Sequence, residues 1–344
     1  MRRGQRSGLY TIVAVHSTAR GPSLGGCRMW TYDDTRSAVR DGLRLSRAMT
    51  FKSAVAGLPL GGGKGVIVLP AGHGPPAGEE RREALLDFGE TVDALGGRYV
   101  TAEDVGTSDR DMAIIAEATR HVCGLAVEQG SSGDPSPWTA LGVESAMRVG
   151  CERALGSSSL EGRSVAVIGL GRVGGHLARL LAQAGAKLTV ADVDQGKRAL
   201  AQELGARWTD PDSALTADVD VLAPCALGGQ LNPDTVPALR CHVIAGAANN
   251  QLAADSVAVD LADRGILWVP DFVANAGGII NISVELEPEG YSAERADARV
   301  RGIADTTRAV FEHADATGAT PLAAAMEIAR RRLAEAEAGA PTTA

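Results

Sequence analysis

The spacing of apolar residues predicts mixed strands and helices in the N-terminal part of the chain. An apolar run at 10–15 predicts a strand, and helical spacing begins near Thr35, with Asp34 or Thr35 as the N-cap. The apolar face of that helix should hold Ala38, Gly42, Leu45 and Met49. A glycine-rich bend at 60–65 is then expected to lead into a strand over 66–69 and a helix over 79–95.

A different pattern begins at Ser164, where short apolar runs alternate with helical segments. Predicted strands at 165–168 and 188–191 enclose a predicted helix at 173–184, which is a βαβ unit. The alternation continues through apolar runs at 219–223, 242–245 and 266–269. The sequence therefore predicts an α/β protein in which a doubly wound, Rossmann-type domain follows an N-terminal α/β domain.

We place the domain junction near 139–141, where a loop containing Pro and Ser gives way to a helix. The predicted domains are a catalytic and oligomerisation domain over 1–139 and a dinucleotide-binding domain over 140–307. Helical spacing continues from about 296 to 336, and the segment from about 308 to 344 is expected to rejoin the N-terminal domain.

A glycine motif lies between the first strand and helix of the βαβ unit. Its residues are Gly169, Gly171, Arg172, Val173 and Gly174. Glycines there allow a tight turn and let a pyrophosphate approach backbone N–H groups at the helix N-terminus. Asp192 ends the second strand, where its carboxylate can accept both ribose hydroxyls and repel a 2'-phosphate, so NAD is favoured over NADP. A purely structural glycine turn and a solvated strand end are the alternatives.

Composition narrows the possible functions further. The formal charge of −8 at pH 7 argues against a nucleic-acid partner. The five cysteines show no CxxC spacing and the six histidines no metal-ligand spacing, which disfavours a disulfide framework and a metal site and favours a reducing cytoplasm. The apolar run at 9–15 is too short for a signal peptide, and no stretch approaches the roughly 20 apolar residues of a membrane span. A cytoplasmic protein without a membrane partner is expected.

Two lysines are the main candidates for chemistry in the N-terminal domain. Lys52 and Lys64 lie in apolar or glycine-rich surroundings, and the acidic pair Glu103 and Asp104 follows. Burial of an ammonium group is costly unless an anion pairs with it. One lysine could bind a substrate carboxylate and another could act as a base, whereas a solvated side chain is the ordinary alternative for any single lysine.

These segments together resemble the glutamate, leucine, phenylalanine and valine dehydrogenase family over nearly the whole chain and in the family's order, most closely its leucine dehydrogenases. The matching segments are GGCRMW at 25–30, MTFK at 49–52, LGGGK at 60–64, TAEDVGT at 101–107, the glycine motif at 169–174, AANN at 247–250 and NAGG at 275–278. The resemblance implies NAD-dependent oxidative deamination of a small apolar L-amino acid of the leucine or valine type to its 2-oxo acid and ammonia, and the reverse reductive amination. It also implies an active site in a cleft between the two domains.

The resemblance implies a role for each N-terminal candidate. Lys64 is similar to the family's catalytic lysine, whose lowered pKa lets it act as a base and activate water. Asp104 is similar to the aspartate that exchanges protons with the amino group and the carbinolamine. Lys52 looks like the residue that pairs with the substrate α-carboxylate, helped by the backbone of Gly25 and Gly26.

Other site residues are assigned by the resemblance alone. The residues implied at the nicotinamide end are Thr139, Cys225, Ala226 and Asn250. The residues implied near the substrate are Leu24, Met49, Ala102, Asn250, Asn275, Ile279 and Ile282. Leu24 stands where glutamate dehydrogenases carry a lysine, so glutamate is disfavoured as a substrate. For Asn250 a turn residue, and for Cys225 a packing residue, remain the alternatives.

Three alternatives stay open at this stage. The same chemistry could act on an aromatic or unusual amino acid in a secondary pathway. The chain could instead be a catalytically silent, NAD-binding regulatory subunit. Family members usually carry an additional N-terminal helix and strand that often contribute to subunit contacts, whereas this sequence begins only a few residues before the strand at 10–15. A homo-oligomer is expected, and a dimer and a higher assembly both stay open.

Overall fold

The structure is a computed structural model that describes residues 1–72 and 74–339, without the side chain of Gln129. The chain forms two compact units. The first comprises Met1–Asp134, Ile282–Ala293 and Ala329–Ala344, and the second comprises Pro135–Asn281 and Glu294–Ile328. Residues 340–344, at the end of the predicted C-terminal return, lie outside the described residues. Each unit is an α/β structure, as the sequence predicts.

The first unit is built on a five-stranded sheet with the order β1-β2-β4-β3-β5. Its strands are β1 (Arg2–Arg3), β2 (Tyr10–Ser17), β3 (Ser23–Tyr32), β4 (Gly61–Pro70) and β5 (Tyr99–Glu103), and its first helices are α1 (Thr35–Val55), α2 (Gly78–Asp93) and α3 (Asp109–Ala116). Strands β3, β4 and β5 run parallel, whereas β2 pairs antiparallel with β4. Apolar residues from alternate positions of β4 face the two sides: Val66 packs with α1, and Ile67 packs with α2 and α3.

Helix α1 carries one of the predicted site lysines. The Asp34 side chain caps it by accepting a hydrogen bond from the Ser37 N–H at 2.6 Å. Its buried stripe holds Ala38, Gly42, Ser46 and Thr50. The predicted face was therefore wrong at Leu45 and Met49, which are half-buried, because small residues spaced by four allow the close approach to the sheet. The helix continues to Val55, so Lys52 lies in its last turn.

The glycine-rich segment before Lys64 is a strand and not the predicted bend. Strand β4 already begins at Gly61 and pairs with both β2 and β3. A Cβ at Gly62 would lie 2.0 Å from the Thr50 backbone nitrogen, and one at Gly65 would lie 2.4 Å from the Phe88 ring. The glycines are thus required by close packing on both faces of the sheet and not by a turn.

The second unit contains a six-stranded, wholly parallel sheet with the order β11-β10-β9-β6-β7-β8. Its strands are β6 (Ser164–Ile168), β7 (Lys187–Ala191), β8 (Arg207–Thr209), β9 (Asp218–Pro224), β10 (Arg240–Ile244) and β11 (Leu267–Trp268). The order reverses between β6 and β9, which is the arrangement of a Rossmann fold and confirms that prediction. The short strand β8 was missed, because its three residues carry no apolar run.

The helices from the junction onward are α4 (Ser136–Leu155), α5 (Arg172–Gln183), α6 (Arg198–Glu203), α7 (Pro211–Leu215), α8 (Val257–Asp263), α9 (Asp271–Ala274), α10 (Gly277–Glu285), α11 (Ala293–Arg301), α12 (Ile303–Thr317) and α13 (Pro321–Gly339). The unit boundary falls before α4 and not at Thr139, because α4 is one continuous helix. Arg153 on α4 pairs with Asp315 and lies over the Phe311 ring, which holds α12 in the second unit. The chain therefore returns to the first unit near Ala329, and not at the predicted residue 308.

Helix α13 closes the first unit. Arg332 donates hydrogen bonds to the carbonyl oxygens of Ala54 and Val55 at 3.1 and 2.6 Å, and so satisfies acceptors at the C-terminus of α1. Arg20 donates to the carbonyl oxygens of Leu58 and Arg332, which ties the following loop to the same helix. The end of α1 that carries Lys52 is therefore fixed by residues that are distant in sequence.

Candidate active site

A buried ion pair lies at the centre of the first unit. Lys64 on β4 is 4% exposed, and its Nζ lies 2.7 Å from Oδ2 of Asp104, which directly follows β5. The predicted lysine and aspartate are therefore in direct contact. An ammonium in this position is stabilised by the carboxylate, since burial of either charge alone is unfavourable.

Two adjacent glycines on β3 create the space for this pair. A Cβ at Gly26 would lie 2.6 Å from the Asp104 Cβ, and one at Gly25 would lie 1.8 Å from the Gly63 carbonyl oxygen. The hydroxyl of Tyr99 donates a hydrogen bond to the Gly25 carbonyl at 2.5 Å, which fixes the backbone of β3 at this position. Any larger residue at either glycine would displace the reactive groups.

The turn after β5 holds Asp104 in place. Its backbone N–H donates to Oγ1 of Thr107 at 3.0 Å, and the Thr107 hydroxyl lies 2.8 Å from the Cys27 carbonyl oxygen to which it donates. The Thr107 N–H returns a hydrogen bond to the Asp104 carbonyl. This closed turn explains why the TAEDVGT segment is a unit and not a flexible loop.

The surroundings lower the pKa values of both Lys64 and Asp104. Burial lowers the pKa of Lys64 below its ordinary value despite the opposing effect of Asp104, and the positive charge of Arg28 lowers it further. Burial of the Asp104 carboxyl would raise its pKa, but the ammonium of Lys64 and the guanidinium of Arg28 outweigh that effect and lower it. Lys64 can therefore lose its proton more readily than a solvated lysine, while Asp104 stays ionised.

Sequence analysis missed a second cation at this site. Nε of Arg28 lies 3.0 Å from Oδ2 of Asp104, and Nη1 of Arg28 lies 2.9 Å from Oδ2 of Asp41 on α1. Asp41 also accepts from the Tyr32 hydroxyl at 2.8 Å and from Arg44 at 2.9 Å. A signal was available, because residues 26 and 28 of a strand lie on the same face.

The other predicted substrate residues of the first unit differ in exposure. Leu24 on β3 is 1% exposed and Ala102 on β5 is 3% exposed, whereas Met49 and Lys52 on α1 are half-buried. Leu24 lies two positions from Gly26 and therefore on the same side of β3. Ile282 on α10 also belongs to this unit and is 8% exposed.

The glycine motif of the second unit has the geometry of a dinucleotide loop. Gly169 has a φ of +98°, and a Cβ at Gly174 would lie 1.9 Å from the Gly169 carbonyl oxygen. A Cβ at Gly171 would meet nothing within 4 Å, so the N-terminus of α5 faces open space. Arg172 and Val173 form the first turn of that helix. The residues present thus fit a pyrophosphate bound to helix N–H groups.

Asp192 lies beside this loop. Its Oδ2 accepts a hydrogen bond from the Leu170 N–H at 2.6 Å, and its Oδ1 accepts from the Asp194 N–H at 2.8 Å. Each carboxylate oxygen keeps a further acceptor site, so the oriented group can receive two ribose hydroxyls. The carboxylate follows β7 and the glycine loop follows β6, as expected for neighbouring parallel strands.

The residues predicted at the nicotinamide end follow β9 and β10. Ala226 contacts Gly169, where an added Cβ would lie 2.8 Å from the Ala226 nitrogen. Burial raises the pKa of the Cys225 thiol to about 12, which supports a packing role for that side chain. Asn250 has a φ of +53°, and its carbonyl accepts a hydrogen bond from Gly229, so it is a turn residue.

Asn275 and Thr139 complete the predicted set of the second unit. Nδ2 of Asn275 donates to the Ala247 carbonyl at 3.1 Å and to Oδ1 of Asn249 at 2.9 Å, which places it beside the loop after β10. Thr139 lies in the first turn of α4, where its hydroxyl donates to the Pro135 carbonyl at 3.0 Å, and a Cβ added at Gly278 of α10 would lie 2.8 Å from that hydroxyl. Ile279 follows on α10 and is 6% exposed.

A buried polar network that sequence analysis did not predict supports the same loop. The Gln251 amide donates to the Gly246 and Ala248 carbonyls, and its N–H donates to Asp271 at 2.9 Å. The Trp268 indole N–H donates to the Gln251 side chain at 3.0 Å. Because each of these groups is buried and hydrogen-bonded, the loop after β10 is rigidly held.

Within residues 1–72 and 74–339, no group of His, Cys, Asp and Glu side chains has the arrangement of a metal site. Across the same residues, each helix is too short or too polar to cross a membrane.

Three regions of the chain match families of dehydrogenases. Residues 1–121 match the family described as "Glu/Leu/Phe/Val dehydrogenase, dimerisation domain", and residues 190–339 match "Glutamate/Leucine/Phenylalanine/Valine dehydrogenase". Residues 143–235 also match "D-isomer specific 2-hydroxyacid dehydrogenase, NAD binding domain". Lys64 and Asp104 lie in the first of these regions, and the glycine motif at 169–174 lies in the third.

Individual proteins similar to this chain are amino-acid dehydrogenases as well. The chain is 45% identical over 330 residues to a leucine dehydrogenase from Bacillus subtilis, which covers 96% of this chain and 89% of the relative. It is 44% identical over 337 residues to a valine dehydrogenase from Streptomyces coelicolor, with 96% and 90% covered. Among solved structures it is similar to L-tryptophan dehydrogenase from Nostoc punctiforme, with a TM-score of 0.82, 38% identity, and 97% and 94% covered.

Proposed function

The chain belongs to the Glu/Leu/Phe/Val dehydrogenase family and is an NAD-dependent amino-acid dehydrogenase, and we propose that its preferred substrates are branched aliphatic amino acids of the leucine and valine type. The reaction is the oxidative deamination of an apolar L-amino acid to its 2-oxo acid with release of ammonia, and its reverse. The observation that carries the substrate proposal is the apolar residue Leu24, buried beside the glycine pair that accommodates Asp104. The identity with leucine and valine dehydrogenases supports it.

Lys52 would bind the substrate α-carboxylate. Its place in the last turn of α1 is fixed by the hydrogen bonds of Arg332 to that helix end. A charge-assisted contact of this kind orients the amino acid and aligns its α-carbon for reaction. The backbone of Gly25 and Gly26 lies close to the Lys64 and Asp104 pair and would contribute to the same binding site.

Lys64 and Asp104 would carry the protons of the reaction. Lys64, with its lowered pKa, takes a proton from the water that attacks the imino acid formed after hydride removal. Asp104 exchanges protons with the substrate amino group and the departing ammonia. The 2.7 Å contact between them lets a proton pass directly from one group to the other.

Bound NAD would supply the acceptor for the hydride that leaves the substrate α-carbon. The glycine motif at 169–174 would hold its pyrophosphate, and Asp192 its adenosine ribose. The residues after β9 and β10, namely Cys225, Ala226 and Asn250, would line the nicotinamide end together with Thr139. Asn275 would lie close to the substrate and the cofactor, and its hydrogen bonds to Ala247 and Asn249 would hold it beside the loop after β10.

The residues of the first unit that we propose for the side-chain pocket are all aliphatic, namely Leu24, Ala102 and Ile282. A carboxylate placed against Leu24 would lose its hydration without gaining a partner. The similarity to a tryptophan dehydrogenase makes an aromatic substrate the second candidate.

We also propose a homo-oligomer in the cytoplasm. The oligomer is supported by the match of residues 1–121 to a dimerisation domain. The compartment is supported by the five cysteines, all of which are free thiols.

A substrate panel with a pocket variant tests the proposal. Wild type should prefer leucine or valine over glutamate by at least about 10³ in kcat/KM, since several kcal/mol of lost hydration oppose the acidic side chain. Leu24→Lys should reduce that preference, because it supplies a cation for the side-chain carboxylate, while Leu24→Met serves as the apolar control. Rates of NADH formation with leucine, valine, phenylalanine, tryptophan and glutamate decide the matter. Comparable wild-type rates on glutamate would contradict the proposed pocket, and highest activity on tryptophan would favour the second candidate.

A further inference from the structure

We propose that Arg28 is a positioning residue of the reaction, which holds the carboxylate of Asp104 in the orientation and charge state that proton exchange with Lys64 requires. The inference rests on the proposed roles of Lys64 and Asp104, and it adds a residue to which no role has been assigned. Arg28 does not contact Lys64 by a hydrogen bond and acts through the aspartate that they share.

The geometry of the shared carboxylate supports this role. Oδ2 of Asp104 receives both the Lys64 ammonium at 2.7 Å and the Arg28 Nε–H at 3.0 Å. Both of these contacts involve Oδ2, and neither involves the other oxygen, Oδ1. The two contacts therefore fix one oxygen and leave its neighbour for a substrate amino group or water.

Arginine is suited to this place because its guanidinium presents donors in two directions. Arg28 uses Nε for Asp104 and Nη1 for Asp41 at 2.9 Å. Asp41 is itself fixed by the Tyr32 hydroxyl, which donates to the same oxygen, Oδ2, at 2.8 Å. Lysine has a single ammonium and could not bridge both carboxylates in a fixed plane. The chain of contacts thus connects α1 to the reacting pair.

The charge of Arg28 acts on both reacting groups in the same direction. It stabilises the anion of Asp104 and opposes the protonated form of Lys64, so the pKa of each is lowered. Asp41 remains ionised, because hydrogen bonds and cations outweigh its burial and lower its pKa. The other titratable or charged groups near the network include Tyr32 and Cys27 on β3, Tyr99 on β5, Arg44 on α1, Arg81 on α2 and Asp111 on α3.

The acidic limb of the pH profile should depend on Arg28. Oxidative deamination requires Lys64 as an acceptor and Asp104 as an anion, so kcat/KM rises with pH through the pKa of each group. Without Arg28 both pKa values rise. The acidic limb of the profile should therefore move to higher pH, whereas a purely structural ion pair would lower activity without moving the limb.

The experiment compares Arg28→Gln, Arg28→Lys and wild type in leucine oxidation with NAD across pH. We expect Arg28→Gln to lower kcat by about 10-fold to 100-fold and to move the acidic limb up by about one pH unit. The KM for leucine should change less than about threefold, because the substrate carboxylate is bound elsewhere. Arg28→Lys should keep the limb near that of wild type but lose kcat, since it restores the charge and not the bridge.

Arg44→Gln is the matched control, because Arg44 contacts the other oxygen of Asp41 and does not reach Asp104. Arg44→Gln should leave kcat within about twofold of wild type and the acidic limb at the same pH, as expected for an exposed ion pair. An unmoved acidic limb in Arg28→Gln overturns the inference. If that variant does not fold, Arg28→Lys decides, and a wild-type kcat in it overturns the bridging role.

Failure of the proposed function gives a different result. Wild type and Lys64→Ala are measured in the same assays. An inactive wild type, or an active Lys64→Ala, contradicts the proposed catalytic roles themselves. An active wild type and an inactive Lys64→Ala, combined with a wild-type pH profile in Arg28→Gln, contradict only the inference about Arg28.

Discussion

Lysine is rare in this chain, and its placement has a chemical reason. The sequence contains thirty arginines and four lysines, and two of the four are Lys52 and Lys64. Arginine can provide positive charge almost anywhere, but it does not lose its proton in a protein. Of these two side chains, only lysine can lose its proton after burial and act as a base. The composition is therefore consistent with the role proposed for Lys64.

Removal of the ammonium at residue 64 should abolish turnover. Lys64→Ala is expected to lower kcat by about 10² to 10⁴, the range typical of general acid–base groups. NADH binding, measured by fluorescence titration, should be nearly unchanged, because Lys64 and the glycine loop belong to different units. Lys187→Ala, at an exposed position on β7, is the matched control and should retain wild-type kcat. A variant with more than about a tenth of wild-type kcat would disprove the role.

Cofactor choice should depend on one carboxylate. Asp192→Ser is expected to lower kcat/KM for NAD by about 10-fold to 100-fold, because hydrogen bonds to a charged group contribute about 1.5–3 kcal/mol. The value for NADP should rise or stay constant as repulsion of the 2'-phosphate is relieved. Asp194→Ser, two residues away and exposed, tests for a general charge effect. A wild type that already prefers NADP would refute the assignment.

Local sequence predicted some elements well and others poorly. The strand and helix around the glycine motif were predicted within about one residue, because apolar runs and turn residues alternate there in the order of the fold. Strand β4 was read partly as a bend, since glycine signals a turn unless its neighbours across the sheet are known. Those neighbours, Thr50, Tyr99 and Phe88, come from three other elements.

At the site, contacts between residues distant in sequence were the ones that the sequence could not predict. Lys64 and Asp104 could be predicted because motifs mark both of them. The position of Arg28 on the same strand face as Gly26 was a signal, but its partners were not predictable, because they lie 13 and 76 residues away and only the fold brings them together. The network of Gln251, Asp271 and Trp268 was missed for the same reason.

The tight packing of β4 gives a test at the level of this element. Gly62→Ala would place a Cβ 2.0 Å from the Thr50 backbone nitrogen, which no side-chain rotation can relieve. Overpacking of this kind typically costs about 1–3 kcal/mol in the free energy of unfolding. Gly74→Ala is the control, because a Cβ there meets nothing within 4 Å. Urea denaturation of both variants measures the difference, and equal midpoints would contradict the strand geometry.

The stability of the whole molecule should depend on pH through the buried pair. Burial lowers the pKa of Lys64 from its ordinary 10.5, so between the folded pKa and 10.5 the unfolded chain binds more protons. The free energy of unfolding therefore rises with pH across that window. Asp104, whose pKa is also lowered, contributes stability above its ordinary 3.8 that is lost as pH falls through the folded value.

Lys64→Met removes the first of these contributions. Its unfolding free energy, measured with urea at several pH values from neutral to alkaline, should rise less steeply with pH than that of wild type. Lys187→Met provides the control at an exposed lysine and should follow wild type. Parallel curves for Lys64→Met and wild type would show that Lys64 keeps an ordinary pKa.

The hydrogen bonds from Arg332 to the end of α1 join two segments that the ribosome synthesises at very different times. Arg332 and Val55 are separated by 277 residues. A ribosome that adds about 5–20 residues per second needs about 15–55 s to travel that distance. All five strands of the first sheet are synthesised well before the end of this interval, whereas the carbonyl groups of Ala54 and Val55 have no partner from α13 until it ends. The catalytic half of the protein is thus translated first and completed last.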